Sequence, residues 1–280
     1  MSAAQQTAAL DAVHVDGLKI AYRELGDGPA VVLLHGWPTS SLLWRDVMPA
    51  IARANRVIAP DLPGFGASDK PAGVRYDFAL FEHALDGLLA ELEVDRVGLA
   101  VHDLGGPIGV HWALEHPDRV TGLALLNTLV YPEFSPAVLE FVKALTTPHL
   151  RDQITSPEGL ADVMRLGLVD KSIATDEVIA GVRAPFADDA SRRALADAGV
   201  GLDLEVFAEI ARRLPSLTAP VRIVYGEQDA ILPDVAETMA RLARDLPQAQ
   251  VTTLPECGHF LQEEAPDQVG ALLAEFFARH

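Results

Sequence analysis

Short apolar runs, separated by segments with helical spacing, make up most of the chain outside residues 131–215. Nearly every residue in these runs is apolar, which is typical of parallel strands covered by helices on both faces. The predicted strands are residues 30–35, 57–60, 97–101, 120–127, 221–226 and 250–254, and the predicted helices are residues 41–53, 78–92, 107–116, 234–246 and 265–279. This alternation predicts an α/β protein with a doubly wound, mostly parallel sheet, whose ligands bind at the carboxyl ends of the strands.

Two segments depart from this pattern. Residues 12–24 alternate between apolar and polar positions around Asp16-Gly17, a turn dipeptide, and predict a hairpin at an antiparallel edge of the sheet. Residues 131–215 have helical spacing broken by prolines and contain no convincing strand. An excursion of this length between two strands predicts a helical cap over the carboxyl edge of the sheet, inserted into a core domain of residues 1–130 and 216–280.

The turn after strand 97–101 is the strongest local signal for chemistry. The apolar run ends at His102, Asp103 follows, and Gly105 and Gly106 keep the turn free of Cβ atoms. This pattern predicts a sharp strand–turn–helix elbow that raises one side chain above the sheet. The chain contains no Gly-x-Ser-x-Gly sequence, so Asp103 is either the nucleophile or a residue that caps the helix beginning at Leu104.

Two further residues follow strand ends in the order of a catalytic triad. Asp229 lies after strand 221–226 and His259 after strand 250–254, so the chain order is nucleophile, acid, histidine. Glu133 and Glu227 are alternative acids, and Asp229 could instead form a local turn with its own loop. Cys257 adjoins the same histidine but lies at no elbow, which favours a small packed residue over a thiol nucleophile.

Composition excludes several classes of partner. The 22 basic and 40 acidic residues give a net charge of −18, which argues against nucleic acid or an anionic membrane. A single cysteine rules out an internal disulfide framework and fits a reducing compartment. No export signal or membrane-spanning run is apparent, so we expect a cytoplasmic protein, as a monomer or homodimer, that acts on a small molecule.

Six motifs together resemble the α/β-hydrolase superfamily, in the branch with an aspartate nucleophile that holds the haloalkane dehalogenases and epoxide hydrolases. They are His35-Gly-Trp-Pro-Thr-Ser-Ser, Asp61-Leu-Pro-Gly-Phe-Gly-Ala-Ser-Asp-Lys-Pro, Val101-His-Asp-Leu-Gly-Gly-Pro, Leu125-Leu-Asn-Thr, Gly226-Glu-Gln-Asp and Gly258-His-Phe. The resemblance covers almost the whole chain outside the cap.

The resemblance implies a two-step hydrolysis without a metal or organic cofactor. Asp103 would attack an electrophilic carbon to form an ester, and His259, oriented by Asp229, would activate the water that hydrolyses it. The backbone N–H groups of Trp37 and Leu104 would form the oxyanion hole.

The two activities differ in how the leaving group is stabilised, and for each of them the sequence lacks an expected residue. Dehalogenases place a tryptophan directly after the nucleophile to bind the halide, and this chain has Leu104. Epoxide hydrolases use cap tyrosines to protonate the opened ring, and only Tyr131 is available. Trp37, Tyr131 and Asn127 are the candidates for binding the substrate or leaving group. Dehalogenation is the leading hypothesis, epoxide hydrolysis the second, and a non-hydrolytic binding or cyclising protein the third.

Overall fold

An eight-stranded sheet organises the protein, which is described over residues 9–280 by a computed structural model. The strands are β1 (Leu10–Val15), β2 (Leu18–Leu25), β3 (Ala30–Leu34), β4 (Arg56–Pro60), β5 (Val97–His102), β6 (Val120–Leu126), β7 (Val221–Gly226) and β8 (Ala249–Leu254). Their order is β1-β2-β4-β3-β5-β6-β7-β8, and all neighbours from β4 to β8 pair in parallel. This architecture confirms the fold class expected from the apolar pattern.

The predicted hairpin is also confirmed at one edge of the sheet. Strands β1 and β2 pair antiparallel, and β2 pairs antiparallel with β4. The turn residues Asp16 and Gly17 have φ of 49° and 86°, the left-handed region that an Asp-Gly turn provides at little cost. The other described strands run parallel and are connected through helices, as a parallel sheet requires.

The described chain contains twelve α-helices, of which the last two follow the final strand. They are α1 (Met48–Ile51), α2 (Phe78–Glu91), α3 (Gly105–Glu115), α4 (Pro136–Thr146), α5 (Pro148–Ile154), α6 (Pro157–Gly167), α7 (Asp176–Arg183), α8 (Asp189–Val200), α9 (Leu204–Arg213), α10 (Val235–Asp245), α11 (Leu261–Glu264) and α12 (Pro266–Phe277). None of the helices in residues 9–280 is both long and apolar enough to cross a membrane.

The prediction of one continuous helix over residues 41–53 was wrong. The segment forms a 3-10 turn at Ser41–Trp44 and then the short helix α1. Pro49 has no N–H, so it cannot donate to the carbonyl group of Arg45 as an uninterrupted helix would require. Leu43, Trp44, Met48 and Ile51 are nevertheless buried, which explains the helical spacing of the sequence.

Six helices, α4 to α9, occupy the segment between β6 and β7. Prolines that break the sequence pattern stand in the first turns of α4, α5 and α6, where the missing N–H costs nothing. Ser135, Ser156 and Thr175 cap α4, α6 and α7 by accepting a backbone N–H. In this part of the described chain no strand forms. We call residues 131–215 the cap.

Candidate active site

The turn between β5 and α3 holds Asp103 in a strained conformation. Its φ is +49°, in the left-handed region that side chains with a Cβ seldom occupy. Glycines keep the surroundings of this turn open: a Cβ at Gly36 would overlap the Asp103 carboxylate, and one at Gly106 would overlap the neighbouring Thr128. The elbow expected from the sequence is therefore present, and its glycines are required by close packing.

Backbone N–H groups orient the Asp103 carboxylate. The N–H of Trp37 donates to Asp103 Oδ1 at 2.8 Å, and α3 begins at Gly105 after the N-cap residue Leu104, with no side-chain hydrogen bond at this cap. The alternative role of Asp103 as a helix cap is therefore not what the structure shows. Burial alone would raise the pKa of Asp103, but His259 and the N–H of Leu104 hold it below its ordinary value. The carboxylate is anionic in the resting protein.

His259 lies between two carboxylates. Its Nδ1 donates to Asp229 Oδ2 at 2.8 Å, and its Nε2 is 3.5 Å from Asp103 Oδ2, with no hydrogen-bond partner. Burial lowers the pKa of His259, but the charge of Asp229, reinforced by that of Asp103, outweighs burial and raises it to about 10. The structure thus brings together the three residues that the sequence proposed as a triad.

Asp229 accepts hydrogen bonds through both carboxylate oxygens. Oδ1 accepts the N–H groups of Ile231 and Leu232, each at 2.8 Å, so the local turn considered from the sequence does form. Oδ2 accepts from His259 and, at 2.7 Å, from Asn127 Nδ2. His259 counteracts the effect of burial and keeps the pKa of Asp229 low. One carboxylate therefore organises its own loop and holds the histidine.

The alternative acids lie elsewhere. Glu133 is exposed and pairs with Arg241 at 2.9 Å, and Glu227 is exposed with no side-chain bond to the histidine. Asn127, predicted as a residue that binds substrate, is fully buried behind Asp229. Its Oδ1 accepts the N–H of Gly226 at 2.8 Å. Its position at the end of a strand indicated a place in the site, and there it contacts Asp229 and is not among the residues that line the cavity.

A cavity of about 670 Å³ opens between the sheet and the cap, with Asp103 in its wall. The volume lies in the range of small-molecule sites. Its lining is mostly aliphatic and aromatic, and its other carboxylates, Glu140 and Asp203, belong to exposed residues paired with Lys143 and Arg75. Leu139, Leu166 and Leu204 also line the cavity and are each more than half exposed, so they mark its opening.

Neither side-chain donor proposed from the sequence is free to act in this cavity. The indole N–H of Trp37 donates to the Leu195 carbonyl group of cap helix α8 at 3.1 Å. The Tyr131 hydroxyl donates to Asp245 at 2.7 Å, and Tyr131 does not line the cavity. Trp37 does border the cavity, where its ring packs edge-on against Phe141 with centroids 4.9 Å apart. Its side chain thus forms a wall and joins the core to the cap.

The remaining polar candidates near the elbow have structural contacts. His35 donates through Nδ1 to the Gly36 carbonyl group and accepts the Leu62 N–H at Nε2, each at 3.0 Å. His102 Nε2 donates to the backbone carbonyl of His259 at 2.9 Å, and burial, together with the neighbouring His259, lowers the pKa of His102 to about 3. Burial raises the pKa of Cys257 to about 11, which disfavours a thiolate.

One group of side chains in residues 9–280 has the spacing of a metal site, and it is away from Asp103. His111 and Glu115 on α3 and Glu209 on α9 have potential ligand atoms within 4.8 Å of one another. Arg213 forms ion pairs with both glutamates, and Glu82 accepts from His111 at 2.5 Å. The potential ligand atoms are thus already engaged in ion pairs and a hydrogen bond, which join the core to the cap.

Comparison with known proteins agrees with this geometry. The α/β hydrolase fold family matches residues 29–266. A protein named haloalkane dehalogenase 2 from Mycobacterium tuberculosis is 31% identical over 271 residues, covering 92% of this chain and 91% of its own. A haloalkane dehalogenase from Sphingobium indicum is 32% identical, covering 95% and 94%.

Solved structures extend the comparison to both enzyme classes. A haloalkane dehalogenase from Bradyrhizobium elkani superposes with a TM-score of 0.85 at 30% identity, covering 97% of this chain and 98% of its own. The epoxide hydrolase CorEH superposes with a TM-score of 0.83 at 26% identity, covering 97% and 99%. The chain belongs to the α/β-hydrolase fold family, in the branch that includes haloalkane dehalogenases and epoxide hydrolases.

The raised pKa of His259 predicts how the free energy of unfolding depends on pH. A folded pKa of about 10 lies above the ordinary value of 6.5, so the protonated histidine stabilises the fold fully below pH 6.5, and this contribution is lost as pH rises through 10. We expect the difference in unfolding free energy between the wild type and His259→Gln to shrink by up to about 1.4 kcal/mol per pH unit from pH 7 to 9. Denaturant titrations measure it, and a constant difference would show that His259 is neutral there.

Proposed function

We propose that the protein hydrolyses small apolar haloalkanes through a covalent ester on Asp103. The observation that carries this proposal is the geometry of the Asp103 carboxylate in the wall of an apolar cavity. Its Oδ1 accepts the Trp37 N–H, and its Oδ2 lies 3.5 Å from His259 Nε2. A partly desolvated, oriented carboxylate is an effective nucleophile toward carbon. The relatives named as haloalkane dehalogenases support the choice of substrate.

In the first step, Asp103 Oδ2 attacks the carbon that bears the halogen. The new C–O bond forms as the carbon–halogen bond breaks, and the bonding pair leaves with the halide. The hydrogen bond from Trp37 to Oδ1 leaves Oδ2 as the free oxygen and fixes the direction of attack. Asp103 changes from an anion to a neutral ester.

In the second step, His259 takes a proton from water, and the hydroxide attacks the ester carbonyl carbon. The Trp37 N–H, which donates to Oδ1 in the resting site, stabilises the oxyanion that develops there, and the Leu104 N–H, which also stabilises the charged carboxylate, is the second donor. Collapse of this intermediate expels the alkoxide, which takes from His259 the proton that came from water. The carboxylic acid left on Asp103 then returns its proton to His259, which restores the resting site. Overall, one haloalkane and one water are converted to one alcohol, one halide ion and one proton.

Ester formation itself prepares His259 to act as a base. In the resting site, two carboxylate charges raise the pKa of His259 to about 10, so the imidazole is protonated. Esterification removes the Asp103 charge, which is one cause of the raised pKa, so the pKa of the buried ring falls although Asp229 stays beside it. His259 then releases its proton to solvent, which is the proton in the overall balance, and the neutral imidazole acts as the base toward water.

The leaving group decides between the two activities of this branch. An epoxide opens to a strongly basic alkoxide that must be protonated, whereas a halide leaves as a weakly basic anion. No tyrosine hydroxyl lines the described cavity, and the Tyr131 hydroxyl is bonded to Asp245. We therefore favour bromide or iodide as the leaving group, since these anions need the least assistance.

Mass spectrometry of His259→Ala with 1-bromobutane tests this proposal. Because only the second step needs the histidine, we expect one butyl group per chain on the peptide containing Asp103, together with one equivalent of released bromide. The double variant Asp103→Ala/His259→Ala is the control and should remain unmodified. Styrene oxide serves as the rival probe.

The outcomes separate the three hypotheses. An adduct from styrene oxide but not from 1-bromobutane would assign the protein to epoxide hydrolysis. Absence of an adduct from either probe, in a variant whose circular dichroism matches the wild type, would contradict the ester mechanism and favour a binding or cyclising protein.

A further inference from the structure

Glu264, at the end of α11, binds three backbone N–H groups from two separate segments. Its Oε2 accepts the N–H of Gly258 at 2.6 Å, and its Oε1 accepts those of Val169 and Asp170 at 2.6 and 3.3 Å. Gly258 directly precedes His259, and the other two residues follow cap helix α6. Hydrogen bonds to a carboxylate are stronger than those between neutral groups. One side chain thus joins the histidine loop to the cap.

A second contact holds the same two segments together. The N–H of His259 donates to the Gly167 carbonyl group at 2.7 Å. Gly258 and Gly167 approach so closely that a Cβ on Gly258 would overlap this carbonyl oxygen. Asn127 Nδ2 donates to the Gly258 carbonyl group at 3.2 Å from the sheet side. The backbone next to the histidine is therefore held by hydrogen bonds and close packing from both the core and the cap.

The position of this backbone affects where the reactive nitrogen of His259 lies. Its Nδ1 is fixed by Asp229, while its Nε2 has no hydrogen-bond partner and must meet a water beside the ester. The ring also packs against His102 and Phe260, with centroids 4.7 and 4.9 Å away, so the position of Nε2 is set by Asp229, by these rings and by the backbone that carries the side chain. A misplacement of about 1 Å in such a site can cost on the order of 100-fold in rate.

We infer that Glu264 is a positioning residue for His259, holding the histidine loop against the cap through its bonds to Gly258, Val169 and Asp170. This inference rests on the proposed ester mechanism, in which His259 acts only in the second step. Loss of the Glu264 contacts therefore slows hydrolysis of the ester and spares its formation. A merely structural residue would affect both steps alike through loss of folded protein.

Glu264→Gln is the most informative substitution. The amide has nearly the same size but replaces one acceptor oxygen with an NH2 group. In either orientation, that NH2 faces a backbone N–H donor, from Gly258 or from Val169. Glu263→Gln is the matched control, because Glu263 instead accepts two bonds of 2.6 Å from Arg45. The control weakens a neighbouring ion pair and leaves the histidine loop untouched.

The experiment follows 1-bromobutane turnover in both variants. For Glu264→Gln we expect the pre-steady-state bromide burst to keep its rate within about twofold, while kcat falls about 10- to 100-fold and butylated Asp103 accumulates at steady state. The burst amplitude counts folded sites, so partial unfolding does not mimic the effect. Amide hydrogen exchange should accelerate in residues 256–260 and 167–170. Glu263→Gln should match the wild type in all these measurements.

His259→Ala is measured in parallel to separate the inference from the mechanism. If it traps the ester while Glu264→Gln turns over like the wild type, the role of Glu264 is overturned and the mechanism stands. Equal slowing of burst and steady state in Glu264→Gln also overturns it. If His259→Ala traps nothing, the ester mechanism fails and the catalytic role of Glu264 fails with it.

Discussion

Asp103→Ala should lower turnover of 1-bromobutane by a factor on the order of 1,000 or more while the protein remains folded. Without the carboxylate there is no atom to form the ester, and losing a nucleophile typically removes nearly all chemical rate enhancement. Asp103 lies at the end of β5 in the cavity wall, and its side chain is 13% exposed, so its removal leaves no void in the hydrophobic core.

Halide release and thermal unfolding together test this prediction. Glu133→Ala is a suitable control, since this carboxylate is exposed and pairs only with Arg241. Should Asp103→Ala retain more than a few per cent of wild-type turnover, the nucleophile would have to be another group. Should it fail to fold, Asp103→Asn keeps the shape of the side chain and should show the same loss of activity.

Asp229→Asn is expected to lower kcat by a factor on the order of 100 to 10,000, as loss of the acid does in comparable triads. The carboxylate oxygens of Asp229 accept four N–H bonds, from His259, Asn127, Ile231 and Leu232. An asparagine in either orientation points its NH2 group at two of these donors. The histidine then loses its fixed tautomer, or the loop after β7 rearranges.

The kinetic signature of this variant should be specific. Ester hydrolysis needs the oriented histidine and should slow, so butylated Asp103 should accumulate during turnover, as judged by mass spectrometry. Glu227→Gln, two residues away on the same loop, should behave as the wild type. A near-normal kcat for Asp229→Asn combined with an inactive Glu133→Gln would instead place the acid after β6.

Local patterns were sufficient to predict the sheet and the place of the three central residues. Continuous apolar runs identify parallel strands, and the residues that follow the carboxyl ends of β5, β7 and β8 must converge at one edge of the sheet. The elbow at Asp103 could be read from its glycines, because close packing there excludes a Cβ.

Contacts between the cap and the core could not be predicted in the same way. The bond from Trp37 to the Leu195 carbonyl group and those from Val169 and Asp170 to Glu264 join residues 94 to 158 positions apart in the chain. No spacing rule relates such segments, since their meeting depends on how six helices pack over the sheet. Asn127 illustrates the difficulty: its strand-end position was correct, but only the fold reveals that it faces Asp229.

The same contacts determine how molecules reach and leave Asp103. An outward movement of the cap as a rigid body would break the bonds from His259 to Gly167, from Val169 to Glu264 and from Trp37 to Leu195. The first two of these bonds hold the loop that carries the histidine. We therefore expect molecules to pass through the opening framed by Leu139, Leu166 and Leu204, whose exposed side chains rotate within nanoseconds. On this view, the width of that opening, rather than a domain movement, limits the size of the molecules that reach Asp103.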